Sequence, residues 1–175
     1  MSYFLRVERW IIPQRALGLS QKEMASDGLR GDEGIALWLG TKDKGEARVT
    51  HVAFLRGPGV YKSPVNIRVQ PELMRAVHEA AIDAGVILIG QVHSHSADYG
   101  VDLSPSDHAY GFQVPYFLSV VWPDYAQTAT TKITNCGVHV FLLGKGYRRL
   151  SRFGVAQKIA IVPRAKVKAL IIGNP

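Results

Sequence analysis

Residues 91–110, QVHSHSADYGVDLSPSDHAY, hold three of the chain's six histidines and three of its fourteen acidic residues, directly after the apolar run VILIG. Imidazoles and carboxylates packed this densely beside an apolar segment need either abundant water or a shared partner. In an extended chain His93 and His95 project from the same side, so both rings can reach one point in space. Two convergent imidazoles are the start of a metal site, and zinc takes a tetrahedral set of nitrogen, sulfur and oxygen donors, three from the protein at a catalytic centre. Asp107 is the candidate third donor. Plainer readings stand beside this one: His-Ser-His as two half-exposed rings at a strand end, and Ser104-Pro105-Ser106-Asp107 as a helix start with serine at the N-cap, proline at the first helical position and an acid three residues after the cap. Helix capping and metal binding are compatible, because the first turn presents Asp107. Asp98 and Asp102 read as solvated loop acids, with Asp102 the reserve ligand.

The elements that must position these residues follow from periodicity. VILIGQVH reads as a buried strand and SPSDHAYGF as the opening of a short helix. Upstream, PELMRAVHEAAIDAG has Pro71 to open a helix, Glu72 in its first turn and Gly85 to close it. Pro13 to Leu29 reads as a helix ended by Gly28 and Gly31. EGIALWLG and ARVTHVAFL read as antiparallel neighbours joined by the hairpin TKDKGE, with Val49, His51, Ala53 and Leu55 on one face. VNIRVQ, YFLSVVW and GVHVFLL add strands, and the closing AQKIAIVPRAKVKALII offers an edge strand broken at Pro163. The expected fold is mixed α/β, with a mostly antiparallel central sheet flanked by helices. His51, His78 and His139 fall on strand and helix positions and read as structural.

Composition narrows the functional classes. At 175 residues, 47% apolar and 20% charged, the chain suits one globular domain with its own core. Its longest uninterrupted apolar stretch, AGVILIG, is far short of the roughly 20 residues a membrane helix needs. One cysteine, Cys136, allows no internal disulfide, and charges interrupt the apolar N-terminus; both suit a reducing cytoplasm. With no base partner assigned to it, Cys136 does not suggest a thiol nucleophile. The net charge of +7 is local: up to residue 143 there are 13 basic and 14 acidic residues, whereas 144–175 holds eight basic and no acidic ones. A short basic segment is ordinarily a solvated surface or a contact for an acidic protein, so a nucleic-acid role rests on this tail alone.

The pattern His93-x-His95, eight residues, then Ser104-x-x-Asp107, with an upstream Glu33-Gly-Ile-Ala-Leu-Trp-Leu-Gly, resembles the JAMM (JAB/MPN-plus) zinc metalloproteases, and most closely their compact prokaryotic members. The resemblance spans about residues 30–150. It departs in two places: Ser96 stands where the family usually has proline, and the loop before Ser104 is slightly long. The resemblance implies a JAB/MPN-like domain over residues 1–150, with 151–175 a basic segment packed on it. It implies one Zn²⁺ held by His93, His95 and Asp107, with water as the fourth ligand, Glu33 as general base and Ser104 as a hydrogen-bond donor to the oxyanion. Such a zinc lowers the pKa of its water to about 7 and polarises the scissile carbonyl. The implied activity is that of an isopeptidase or peptidase cutting after the C-terminal tail of a ubiquitin-like protein, by precursor processing or deconjugation. The implied setting is a bacterial antiphage system with E1- and E2-like partners. The alternatives are processing of a sulfur-carrier protein and a non-catalytic MPN-type scaffold, though scaffolds of that family generally lack the ligand set.

Overall fold

The fold, obtained as a computed structural model, is described for residues 5–174. Its strands are β1 (Arg9–Pro13), β2 (Ile35–Asp43), β3 (Glu46–Leu55), β4 (Val60–Ser63), β5 (Asn66–Val69), β6 (Ile87–Ser94), β7 (Leu118–Trp122), β8 (Gly137–Leu142), β9 (Gly146–Arg149), β10 (Ile159–Val162) and β11 (Lys168–Ile172). Its helices are α1 (Gln14–Gly28), α2 (Pro71–Asp83), α3 (Pro105–Tyr110) and α4 (Arg152–Lys158). None is long and apolar enough to cross a membrane among the described residues.

Nine strands form one mixed sheet in the order β10-β1-β3-β2-β6-β7-β8-β9, with β11 beside β3. The antiparallel character expected from the sequence is confined to β3-β2-β6 and β7-β8-β9. The pairs β1-β10, β1-β3, β3-β11 and β6-β7 are parallel. Parallel neighbours need crossovers rather than hairpins: α3 lies in the connection from β6 to β7, and α1 in the one from β1 to β3. The segment after residue 150 therefore contributes two strands to the main sheet, β10 against β1 and β11 against β3. Pro163 sits in the turn that separates them.

Two local departures from simple alternation decide which residues face the site. The β2-β3 register slips between Leu39 and Gly40, and the β2-β6 register between Trp38 and Leu39. One residue of each partner strand, Thr50 and Ile89, is thereby left as a bulge, and a bulge reverses the facing of what lies beyond it. Val49 consequently packs with Ala47 and Val52 on the α1 side, whereas Ala53 and Leu55 face the α2 side. The expected common face of Val49 with Ala53 and Leu55 is thus divided. Gly40 accommodates the irregularity, since a Cβ there would lie 1.8 Å from the Arg48 carbonyl oxygen. The β2-β3 hairpin closes as expected through Lys44 and Gly45, both at positive φ (46° and 81°) as a two-residue primed turn requires.

The core lies on both faces of the sheet. Ala16, Leu17 and Met24 of α1 and Val155 of α4 pack with Trp38, Val92 and Val120 on one face. Leu73, Val77 and Ala81 of α2 pack with Leu37, Leu88 and Val121 on the other. VNIRVQ does form a strand, β5, but it pairs only with β4 in a separate two-stranded sheet. That small sheet is held down by charge: Lys62 Nζ is 2.6 Å from Asp27 Oδ2, and Arg56 makes a two-pronged pair with Glu23 of α1.

Two glycine substitutions test this packing. Gly18 of α1 has nothing within 4 Å of a built Cβ, so Gly18→Ala should stabilise the protein by about 0.5–1 kcal/mol through helix propensity. Gly40→Ala should destabilise it by at least about 2 kcal/mol, because backbone must move to relieve the overlap. Urea denaturation of both variants gives these differences directly.

Candidate metal centre

β6 is buried along its whole length and carries His93, with His95 just beyond its end. His93 and His95 are each only 2% exposed. The antiparallel β2-β6 register pairs Ile35 with His93, so two residues further out Glu33 faces His95. The end of β2 is fixed there by paired contacts: Gly34 N–H donates to Ser94 Oγ and Ser94 N–H donates to the Gly34 carbonyl, both at 2.9 Å. Glu33 N–H donates to the Ser63 carbonyl at the end of β4, also at 2.9 Å.

Asp107 arrives from α3, which begins with a capping box. Asp107 N–H donates to Ser104 Oγ at 3.1 Å, and Ser104 N–H donates to Asp107 Oδ2 at 2.8 Å. The helix-start reading of Ser-Pro-Ser-Asp is therefore correct, and the same carboxylate also reaches the histidines. Asp107 Oδ2 lies 3.4 Å from both His93 Nε2 and His95 Nε2, and the two Nε2 atoms are 3.2 Å apart. A tetrahedral zinc with bonds of about 2.0–2.1 Å has donor-to-donor edges of about 3.3–3.4 Å. The donor triangle matches one face of such a tetrahedron. His93, His95 and Asp107 thus form a group able to hold a metal ion, and their types and spacing fit zinc.

Glu33 stands beside the triangle and not in it, with Oε1 3.9 Å from His95 Nε2. Burial raises its carboxyl to about 7; the charge of His95 pulls the value down and that of Asp107 pushes it up. Burial would likewise raise Asp107, but hydrogen bonds from His93 and His95 outweigh it and hold the carboxyl well below the usual range. Burial would lower His95, yet the hydrogen bond it donates to Asp107 and the charges of Glu33 and Asp107 leave it raised.

Other histidines and acids named from the sequence lie elsewhere. Asp102 points away, 2.6 Å from Arg149 Nη1 and 3.9 Å from the buried His139, so it is not the reserve ligand. Burial, first, and the charge of Arg149 hold His139 down to about 4, as suits a neutral structural ring. Cys136 is buried, which pushes its thiol up to about 12.

Next to the triangle lies a groove of about 490 Å³, lined by Ile67 and Val69 of β5, Met74 of α2, Gln91 and His93 of β6, and Ser106, Asp107 and Phe112 at α3. No local signal marks Gln91, Ser106 or the β5 wall as site residues. Only a tertiary contact makes them neighbours, although Gln91 shares the face of His93 by strand alternation.

Comparison with known proteins returns fold and no more. No family model and no curated protein matches this chain. A solution structure of protein DSY2949 from Desulfitobacterium hafniense is similar to it at 14% identity, with a TM-score of 0.64 over 89% of this chain and 94% of that one. A solution structure of a protein from Salinibacter ruber is similar at 20% identity, with a TM-score of 0.54 over 88% and 93%.

Purified protein is expected to carry one zinc per chain, with His95→Ala losing it and Asp102→Ala keeping it. Elemental analysis after dialysis decides this, and equal zinc in wild type and His95→Ala would refute the ligand set.

Proposed function

We propose that this protein is a zinc-dependent peptidase of the JAMM type, cleaving after the C-terminal tail of a ubiquitin-like protein. The observation that carries the reading is the Nε2-Nε2-Oδ2 triangle of His93, His95 and Asp107 with a buried carboxylate, Glu33, beside it but outside the donor set. Zinc held there would supply a Lewis acid for the scissile carbonyl and acidify a water molecule.

Glu33 is placed for the proton work. Its buried carboxylate, beside the donor set and outside it, can take a proton from water at the site and return it to the departing amine. Glu46, the other glutamate in this part of the chain, lies in the hairpin at the opposite end of β2 and pairs with Arg48. Ser104 Oγ accepts from Asp107 N–H in the cap, and its own proton remains to donate, so the capping role and an oxyanion role coexist on one hydroxyl.

The groove favours an extended polypeptide over a compact small molecule. β5 pairs with β4 along one edge only, and the groove lies against β5. A peptide laid there would gain main-chain hydrogen bonds from that edge and apolar contact from Ile67, Val69 and Met74. A flexible tail suits this path, and the ubiquitin-like identity of the substrate, with E1- and E2-like partners in a bacterial system, follows from the resemblance of the motif.

Glu33→Gln tests the mechanism. The variant keeps the side chain's shape without its basicity, so it should retain zinc and fold while cleavage of a ubiquitin-like fusion falls at least about a hundredfold. Cleavage at the wild-type rate would remove Glu33 from the mechanism. A zinc-loaded wild type that cuts no such fusion would favour the scaffold reading.

A further inference from the structure

We infer that the left-handed turn at Asp124–Ala126 is a positioning device for His95, coupling the metal centre to α1. The inference rests on the metal reading above but concerns residues outside the ligand set. Asp124, Tyr125 and Ala126 have φ of 50°, 47° and 57° in succession. L-residues other than glycine rarely take this conformation singly, and a run of three persists only where the surroundings over-determine it.

What the turn holds is the backbone of His95. β6 ends at Ser94, paired with Trp122 of β7, so the ladder proper stops one residue before the second histidine. The same-side geometry of His93 and His95 requires His95 to stay extended past that point. Two bonds keep it there: His95 N–H donates to the Trp122 carbonyl at 3.0 Å, and Tyr125 N–H donates to the His95 carbonyl at 2.7 Å. The second comes from the strained turn itself. An ordinary right-handed turn after Pro123 would point the Tyr125 N–H elsewhere.

The turn is in turn fastened to α1. Gln21 Nε2 donates to the Ala126 carbonyl at 2.6 Å, and Gln127 Nε2 to the Ala25 carbonyl at 3.0 Å. Gly28 permits the close approach, since a Cβ there would lie 2.6 Å from both Cβ and the carbonyl oxygen of Tyr125. Tyr125 Oη also donates to the Pro64 carbonyl beyond β4, at 3.2 Å. One strained turn thus joins the helix that leads into Glu33, the sheet that walls the groove, and the histidine between them. Residues supporting metal ligands in this way typically change metal affinity by 10- to 100-fold when altered.

The test is zinc affinity of folded protein, measured by competition with a chromophoric chelator, alongside thermal denaturation of the metal-free form. Gly28→Ala should push the turn off α1, and Gln21→Ala should remove its buried anchor; each should weaken zinc binding at least tenfold while the protein remains folded. Gly18→Ala, on the same helix with open space around it, should leave the affinity at the wild-type value. If Gly28→Ala does not fold, Gln21→Ala, which puts a good helix former into α1, carries the test alone. Affinity within twofold of wild type in the folded variants would overturn the inference while leaving the metal reading intact. A wild type with no zinc affinity would remove the metal reading itself, and this inference with it.

Discussion

The structure depends most on one contact, the meeting of the Asp107 carboxylate with two imidazoles that are almost wholly shielded from water. Burying two polar rings is costly unless they share a partner. Here the partner oxygen, Asp107 Oδ2, is equidistant from both Nε2 atoms and also accepts the backbone N–H of Ser104. The atom that closes the helix cap is the atom that completes the donor triangle. Whatever fixes the start of α3 therefore fixes the site, and the cap is held by side chain and backbone reciprocally. The longer loop between His95 and Ser104 and the serine at position 96 leave this arrangement untouched.

The sheet supplies the second coordinate. Antiparallel pairing of β2 with β6 sets Glu33 opposite His95, and the pairs around Gly34 and Ser94 lock that end of the two strands. The bulge opposite Leu39 is what lets Ile89 pack with the α1-side core while Gln91 and His93 face the groove. A strict alternation from Ile87 would have turned the histidines toward the α1 face. The irregularity in the ladder is thus a condition for the site. Glu33 arrives on the same side as the ligands by the unbroken alternation of β2, which sets Ile35, Leu37 and Leu39 on that face.

The site was legible in the sequence because its signals are local. His-Ser-His at the end of an apolar run, and Ser-Pro-Ser-Asp at a helix start, state both their conformation and their chemistry within a few residues. The same holds for α2, with Pro71 at its start and Gly85 at positive φ beyond its end. What escaped was long-range. β1 is a short apolar piece, WIIP, broken from the rest of the N-terminal segment by charges. Its place in the sheet depends on β3 and β10, far away in the chain. The bulges at Thr50 and Ile89 carry no local mark beyond Gly40 and Gly90 nearby. The parallel pairs that make the sheet mixed, and the places in it of β10 and β11 on either side of Pro163, likewise follow from pairing partners that no short window contains.

The central claim is that three particular atoms converge to hold one zinc ion, and anomalous diffraction at the zinc edge tests it most directly. Crystals of the wild-type protein grown with stoichiometric zinc should show one strong anomalous peak about 2.0–2.1 Å from His93 Nε2, His95 Nε2 and Asp107 Oδ2, with the Glu33 carboxylate outside bonding distance of it. No peak at that position, or a zinc bound through Glu33 or Asp102 in place of Asp107, would contradict the account.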